Sequence, residues 1–307
     1  MICRSGATGG PRIAQFRAGL KTGITNRLFV RRVKGAAICA ALISIPAIWT
    51  FSSGASAAAG AGACDAGSWT VIEATWVTDA RTIALGDGRA VRLAGLESLA
   101  ALARDPKTAD AMDARLAGRL AQWLAAKPLR IRILPGKPDR HDRRAALIAT
   151  GGELLQEHLL SAGLAVFMPE SFPDDAGDAC ARRLLALEDG ARLARRGGWS
   201  EPGFIVAAAR PDVLSPQYGH FVIFQGIVRS VGTRRDRTYI DFGGQWRNDV
   251  TVEITAGRRR YFGGEAALED LAGKLVRVRG FLQEKSGPMV SARHPAQIEV
   301  LVDTKSR

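Results

Sequence analysis

The chain of 307 residues has room for about two domains and a leader. Its apolar fraction of 47% and charged fraction of 24% exclude wholesale disorder and a polytopic membrane protein, and four cysteines are too few for a disulfide-dense miniprotein. The net charge of +13 is unevenly spread: residues 1–57 carry eight Lys/Arg and no Asp/Glu, residues 58–203 carry 19 of each sign, and residues 204–307 carry 16 basic against 11 acidic residues. Apart from the leader, only the C-terminal segment is basic enough to suggest an acidic partner.

The leader reads as an export signal. Arg31, Arg32 and Lys34 precede an apolar run from Ala36 to Phe51, and Ala55-Ser56-Ala57 has the small-residue cleavage pattern. The run is short for a spanning helix, which needs about 20 residues, and it contains Pro46. The alternative is an uncleaved N-terminal anchor. The expected location is periplasmic or secreted, with membrane anchoring through this segment under that alternative. Cys3 and Cys39 leave with a cleaved leader, so Cys64 and Cys180 remain. In an oxidising compartment that pair reads as a disulfide, and otherwise as two unrelated thiols. Neither lies in a CxxC or Cys/His neighbourhood, which argues against zinc.

From Trp69 to Leu96 short alternating runs predict strands at Val71–Val77, Arg81–Leu85 and Ala90–Ala94, with a turn at Gly86-Asp87-Gly88. Residues 108–126 switch to a helical period, with Met112, Leu116, Leu120, Trp123 and Leu124 on one face and Thr108 as N-cap. Strands follow at Leu129–Ile133 and Ala145–Thr150. A helix is expected from Glu153 to Ala162, ended by Gly163, and a longer one from Asp178 to Arg196, ended by Gly197-Gly198. The inward positions of the long helix are Cys180, Leu184, Leu187, Ala191 and Ala194. A linker is expected from Ile205 to Gln217, where Pro211 and Pro216 fall. Beyond it, strands at His220–Arg229, Arg237–Phe242, Asp249–Ile254, Leu275–Leu282 and Gln297–Val302, with a helix at Glu265–Ala272, follow the order of an OB-type barrel.

Residues 69–201 resemble the staphylococcal nuclease-like (thermonuclease) family. The resemblance is carried by Val77-Thr78-Asp79-Ala80-Arg81-Thr82-Ile83 and by Asp87-Gly88-Arg89-Ala90-Val91-Arg92-Leu93-Ala94-Gly95-Leu96-Glu97. Asp139-Arg140-His141-Asp142-Arg143, Gly163-Leu164-Ala165-Val166 and Ala194-Arg195-Arg196-Gly197-Gly198-Trp199 extend it. It implies a five-stranded barrel with three helices and a site that cleaves phosphodiesters with calcium, where carboxylates hold the metal, a glutamate assists the attacking water and two arginines bind the phosphate. A hard cation and guanidinium forks would stabilise the negative charge that builds on the phosphorus oxygens.

The sequence departs from that pattern at the chemistry. The family's Asp-Gly-Asp-Thr stands here as Asp79-Ala80-Arg81-Thr82, so a metal-ligand position carries Arg81. The later ligand is Glu97, and the glutamate that serves as base is Ala100. The phosphate-binding positions are retained as Arg92 and Arg143. Arg81 either replaces the lost cation, pairing with Asp79 and Glu97, or points to solvent. No metal site and no cofactor are expected, calcium being a property of the family. His141 is a candidate substitute base or, more plainly, a bystander in its loop.

The C-terminal segment resembles an OB-type domain appended to some exported nuclease-like proteins, on strand order and on Gly226-Ile227-Val228 and Thr238-Tyr239-Ile240-Asp241-Phe242. Arg234, Arg235 and Arg237 beside a turn, Arg258, Arg259 and Arg260 after the third strand, and Trp246 and Tyr239 as stacking faces suggest nucleic-acid binding. The alternative is solvated hairpin tips and core aromatics. The expected fold class is β-rich α+β: a nuclease-like five-stranded OB-type barrel with three helices at residues 65–203, then an OB-like β-barrel at 218–303, behind the signal or anchor at 1–57. The expected function is a thermonuclease-like protein without calcium-dependent phosphodiesterase activity, binding nucleic acid or an envelope protein. A weak or atypical nuclease and a purely structural module are the alternatives.

Overall fold

The computed structural model describes Cys64 and residues 67–125, 128–172, 178–201, 207–244 and 248–302. The leader at 1–57 and Trp246 lie outside the described residues. Among the described residues no helix is long and apolar enough to cross a membrane.

The chain is a β-rich α+β protein. Its first half runs β1 (Thr70–Ile72), β2 (Ala74–Asp79), β3 (Thr82–Leu85), β4 (Ala90–Leu93), β5 (Leu96–Ser98), α1 (Pro106–Leu124), β6 (Leu129–Ile133), β7 (Arg144–Thr150), β8 (Glu153–Leu154), α2 (Leu155–Ser161), β9 (Ala165–Phe167) and α3 (Asp178–Leu193). The main sheet has the order β1-β6-β7-β4-β3-β2, with β8 on β7, and β5 pairs with β9 separately. The pairing of β4 with β7 is parallel and the rest of the main sheet is antiparallel. The strand expected at Val71–Val77 is broken at Glu73, because the chain changes partner there. β1 pairs with β6, β2 pairs with β3, and the Glu73 carbonyl accepts from the Gly86 N–H at 2.8 Å.

Helix α1 begins at Pro106 and not at the expected Thr108. Asp105 is the N-cap, its carboxylate accepting the Thr108 N–H at 2.9 Å, while Pro106 fills a first-turn position that needs no donor. Met112, Leu116 and Leu120 are its buried stripe. Helix α3 ends at Leu193, three residues before the expected end, and Ala194 is exposed and not inward. Here the chain turns through left-handed Arg195 and Gly197. A Cβ on Gly197 would lie 2.4 Å from the Gly163 carbonyl oxygen, and one on Gly163 would lie 2.2 Å from the Arg196 oxygen. The ends of α2 and α3 therefore meet backbone to backbone, sealed by Gly198 N–H to Gly163 O at 2.9 Å.

The second half runs β10 (Ala207–Ala208), α4 (Pro211–Leu214), β11 (Phe221–Ile227), β12 (Ser230–Thr233), β13 (Arg237–Asp241), β14 (Thr251–Thr255), α5 (Gly264–Glu269), β15 (Leu275–Glu284), β16 (Pro288–Ser291) and β17 (Ile298–Val302). The sheet order is β10-β11-β15-β16-β14-β13-β12, with β17 also on β15, and β14 pairs with β16 in parallel. Two corrections follow. The expected linker contains β10 and α4, and its Leu214 is fully buried. The strand that reaches the third strand is β16 and not the expected Gln297–Val302. Pro288 masked it, yet a proline at the first residue of a strand costs no ladder bond.

Period-2 alternation along β11 and β15 explains how the halves join. Val222 and Phe224 enter the core of the second half, whereas Phe221 and Ile223 pack with Leu99, Met112, Val166, Met168, Ala191 and Trp199 of the first half. On β15, Val276 and Val278 face the same core, while Arg277 and Arg279 turn to α3. Arg279 is fully buried. Its guanidinium reaches Glu188 at 2.8 Å and Glu299 at 2.6 Å and donates to the Phe167 carbonyl at 3.1 Å. Arg277 reaches Asp189 at 2.9 Å. Glu188 is itself buried and also accepts the Phe167 N–H at 2.5 Å. Both halves belong to one compact unit. A disulfide joins Cys64 to Cys180 across 116 positions, tying the chain ahead of β1 to the start of α3.

Arg279→Ala leaves Glu188 buried without its counter-charge and is expected to cost about 3–5 kcal/mol in urea unfolding. A loss below about 1 kcal/mol would show that the pair does not hold the halves together. Cys64→Ser with Cys180→Ser is expected to lower stability by about 3–5 kcal/mol, the loop-closure entropy of so long a loop. An unchanged urea midpoint would contradict this.

Candidate functional site

Sheet register assembles the site. Thr82 on β3 lies opposite Arg92 on β4, and Arg92 lies opposite Ala145 on β7. Arg92 sits between buried Val91 and Leu93, so strand alternation turns it to the other face. Arg143 immediately precedes β7 and donates to the Thr82 hydroxyl at 2.7 Å. Asp139 holds it, accepting from Nε and Nη2 at 2.9 Å each, while Asp79 Oδ2 lies 3.5 Å from its Nη1. Glu97 arrives on β5, positioned by the Glu97–Val166 pairing with β9.

Arg81 lies in the turn between β2 and β3 and reaches across to Glu97, with Nη1 to Oε2 at 2.5 Å. Its contact with Asp79 is by backbone: the Arg81 N–H donates to Asp79 Oδ1 at 2.8 Å. The expected double pairing by the guanidinium is thus divided, since Asp79's other oxygen faces Arg143. Glu97 is buried, and its second oxygen accepts the Ser98 N–H at 3.1 Å. Burial pushes its carboxyl above the ordinary value against the pull of Arg81. Ala100 lies in the 3₁₀ turn Leu99–Leu102 and brings only a methyl group.

The calcium that the nuclease resemblance implies does not fit these residues. Calcium takes six to eight oxygen ligands. Here Glu97 offers its oxygens to a guanidinium and a backbone N–H, and Asp79 does the same. Among the described residues no group of three or more His, Cys, Asp or Glu could hold a metal ion. His141 is no substitute base beside Arg92. It is exposed, accepts from Arg140 Nε at 3.0 Å and lines a different depression, with Gly88, Arg89 and Arg144.

What remains is a cationic cleft. Arg92, Lys137, Arg143, Arg258 and Arg293 line a cavity of about 360 Å³, with Asp139 and Glu170 as its carboxylates. Burial, and then the neighbouring Arg81 charge, lower the Arg92 guanidinium from its ordinary value. Lys137, Glu170 and Arg293 were not expected at the site. Nothing in the local pattern singles them out, since they meet only where the halves pack. The basic hairpin is partly self-neutralised: Arg237 pairs with Glu253 at 2.6 Å and Asp236 at 3.1 Å. Arg235 is exposed at the turn, and Arg234 lines a second cavity with Tyr239, Asp241 and Lys285. Arg259 is drawn inward, to the Thr238 hydroxyl at 3.0 Å and Glu265 at 2.7 Å.

Burial works against ionised Asp139, but hydrogen bonds from the Arg143 side chain and from the backbone N–H groups of Arg143 and His141 outweigh it and hold its carboxyl at about 2. Because the folded value lies below the unfolded one, its stabilisation is present above about pH 4 and is lost as pH falls through about 2. Asp139→Asn should therefore melt earlier than the parent chain at pH 6, with the difference shrinking toward pH 2. A difference in melting temperature that persists unchanged at pH 2 would contradict this.

Compared with known proteins, the chain matches no family model, and no curated protein matches it at a significant level.

Proposed function

We propose that the chain is an exported, thermonuclease-like protein that lacks calcium-dependent phosphodiesterase chemistry and binds nucleic acid through phosphate contacts. The carrying observation is the split fate of the cations: Arg81 is committed to Glu97, whereas Arg92, among the described residues, has no ion-pair partner in its cleft. Without a hard cation or a general base there is nothing to activate water. The Arg143 guanidinium, positioned by Thr82 and Asp139, and that of Arg92 in the same cleft suit a phosphate oxygen.

The fold reading behind this is two OB-type barrels. In each half the third and fifth strands pair in parallel, and the first strand, bent into two segments, pairs with the fourth on one side and the second on the other: β1/β2 in the first half, β11/β12 in the second. That connection order supports a five-stranded Greek-key barrel. Export is supported by the basic and apolar leader and by the disulfide, which persists in oxidising compartments.

A labelled single-stranded oligonucleotide in chelator is expected to bind, with affinity falling about tenfold or more between 50 and 200 mM salt as counterions compete for the phosphates. Arg92→Gln should weaken it further, and added calcium should release no cleavage products. Arg81→Asp combined with Ala100→Glu should create calcium-dependent cleavage. Robust calcium-stimulated hydrolysis by the natural chain would overturn the proposal, and salt-insensitive or absent binding would point to an envelope protein as partner instead.

A further inference from the structure

We propose that the phosphate site belongs to both halves at once, with Arg258 and Arg293 of the second half closing a nucleotide-sized cleft over Arg92, Lys137 and Arg143, so that one nucleic-acid strand is gripped by both halves. This rests on the nucleic-acid reading above and extends it to residues that the nuclease resemblance does not reach.

The lining residues come from β4, the loop between β6 and β7, β7 itself, the segment after β9, the segment after β14 and the segment after β16. Five cationic side chains meet two carboxylates there. One of those carboxylates, Asp139, is already taken by Arg143. Arg92, Lys137 and Arg293 hold no salt bridge among the described residues. Like charges brought together around one cavity repel each other and focus the field into it, which favours an anionic occupant. A volume of about 360 Å³ takes one nucleotide unit and does not admit a base-paired helix. Phe172 and Pro135 supply an apolar wall.

The second half's contribution is built in. Arg258 Nη1 donates to the Arg293 carbonyl at 2.6 Å, linking the segment after β14 to the segment after β16. Gln297 is fully buried and acts as the hinge pin. Its oxygen accepts the Arg293 and His294 N–H groups at 2.6 and 2.9 Å, and its nitrogen donates to Glu170 of the first half at 2.7 Å. The same side-chain amide therefore sets the position of Arg293 against the wall that carries Arg92.

The test uses the full chain and a labelled ten-nucleotide single strand, in chelator, followed by anisotropy. Arg258→Gln and Arg293→Gln are each expected to weaken binding about three- to tenfold and to reduce the salt slope by about 0.7. Arg119→Gln, which removes an equal charge from the exposed side of α1, should change affinity less than twofold. A duplex of the same length should compete poorly, and so should polyglutamate, because a carboxylate chain lacks the phosphate oxygens. If Arg92→Gln weakens binding while the Arg258/Arg293 double variant binds like the parent chain, the joint cleft is wrong and the functional reading stands. Equal competition by polyglutamate or by duplex overturns the strand-sized phosphate site. If the parent chain binds no single strand at all, the functional reading falls and the joint cleft with it.

Discussion

A guanidinium with no exposed surface, Arg279, sits where two halves of this chain meet, and its charge is answered by Glu188 and Glu299. Burying an arginine is expensive, and the cost is offset by close ion pairs and hydrogen bonds. Here both carboxylates and the Phe167 carbonyl engage the two terminal nitrogens, while Nε is buried without a hydrogen-bond partner among the described residues. The consequence is orientation. Because Arg279 and Arg277 must meet Glu188 and Asp189, the outer face of β15 can lie on α3 in only one way, and the apolar residues of β11 follow. The cationic cleft exists because of that docking: its walls are loops of the two halves held at a set spacing by Gln297.

Around Asp79 and Glu97 the governing feature is a fixed positive charge. Arg81 lies against Glu97, and both carboxylates spend their oxygens on guanidinium and backbone N–H donors. Thr82, Asp139 and Arg143 form a bonded set beside it, and Arg92 projects from β4. The arrangement presents guanidinium groups to the cleft and, among the described residues, no cluster of carboxylates that could hold a metal.

Much of this was legible beforehand. The strands of the first half, the stripe of α1 at four-residue spacing and the glycine stop at Gly163 follow from periodicity and backbone preference, which act over a few residues. Arg81, Arg92 and Arg143 stand out in the sequence as letters of a motif. The errors came where a long-range partner overrode the local signal. Glu73 breaks a continuous β pattern because two different strands claim its two sides. Pro288 hid a strand that needs no donor at its first residue. In Val276-Arg277-Val278-Arg279, a strand as expected, the arginine face is covered by α3, which alternation alone does not specify.

By itself, then, the sequence determined the types and most positions of the elements, the charge of each segment and the presence of an arginine two residues after Asp79, because each is written in adjacent residues. Only the tertiary structure decided which carboxylate receives Arg81, that Arg237 and Arg259 turn inward to local partners, and that Arg258 and Arg293 face Arg92 across one cavity. Those outcomes depend on sheet register and on the docking of two halves, which bring together residues far apart in the chain.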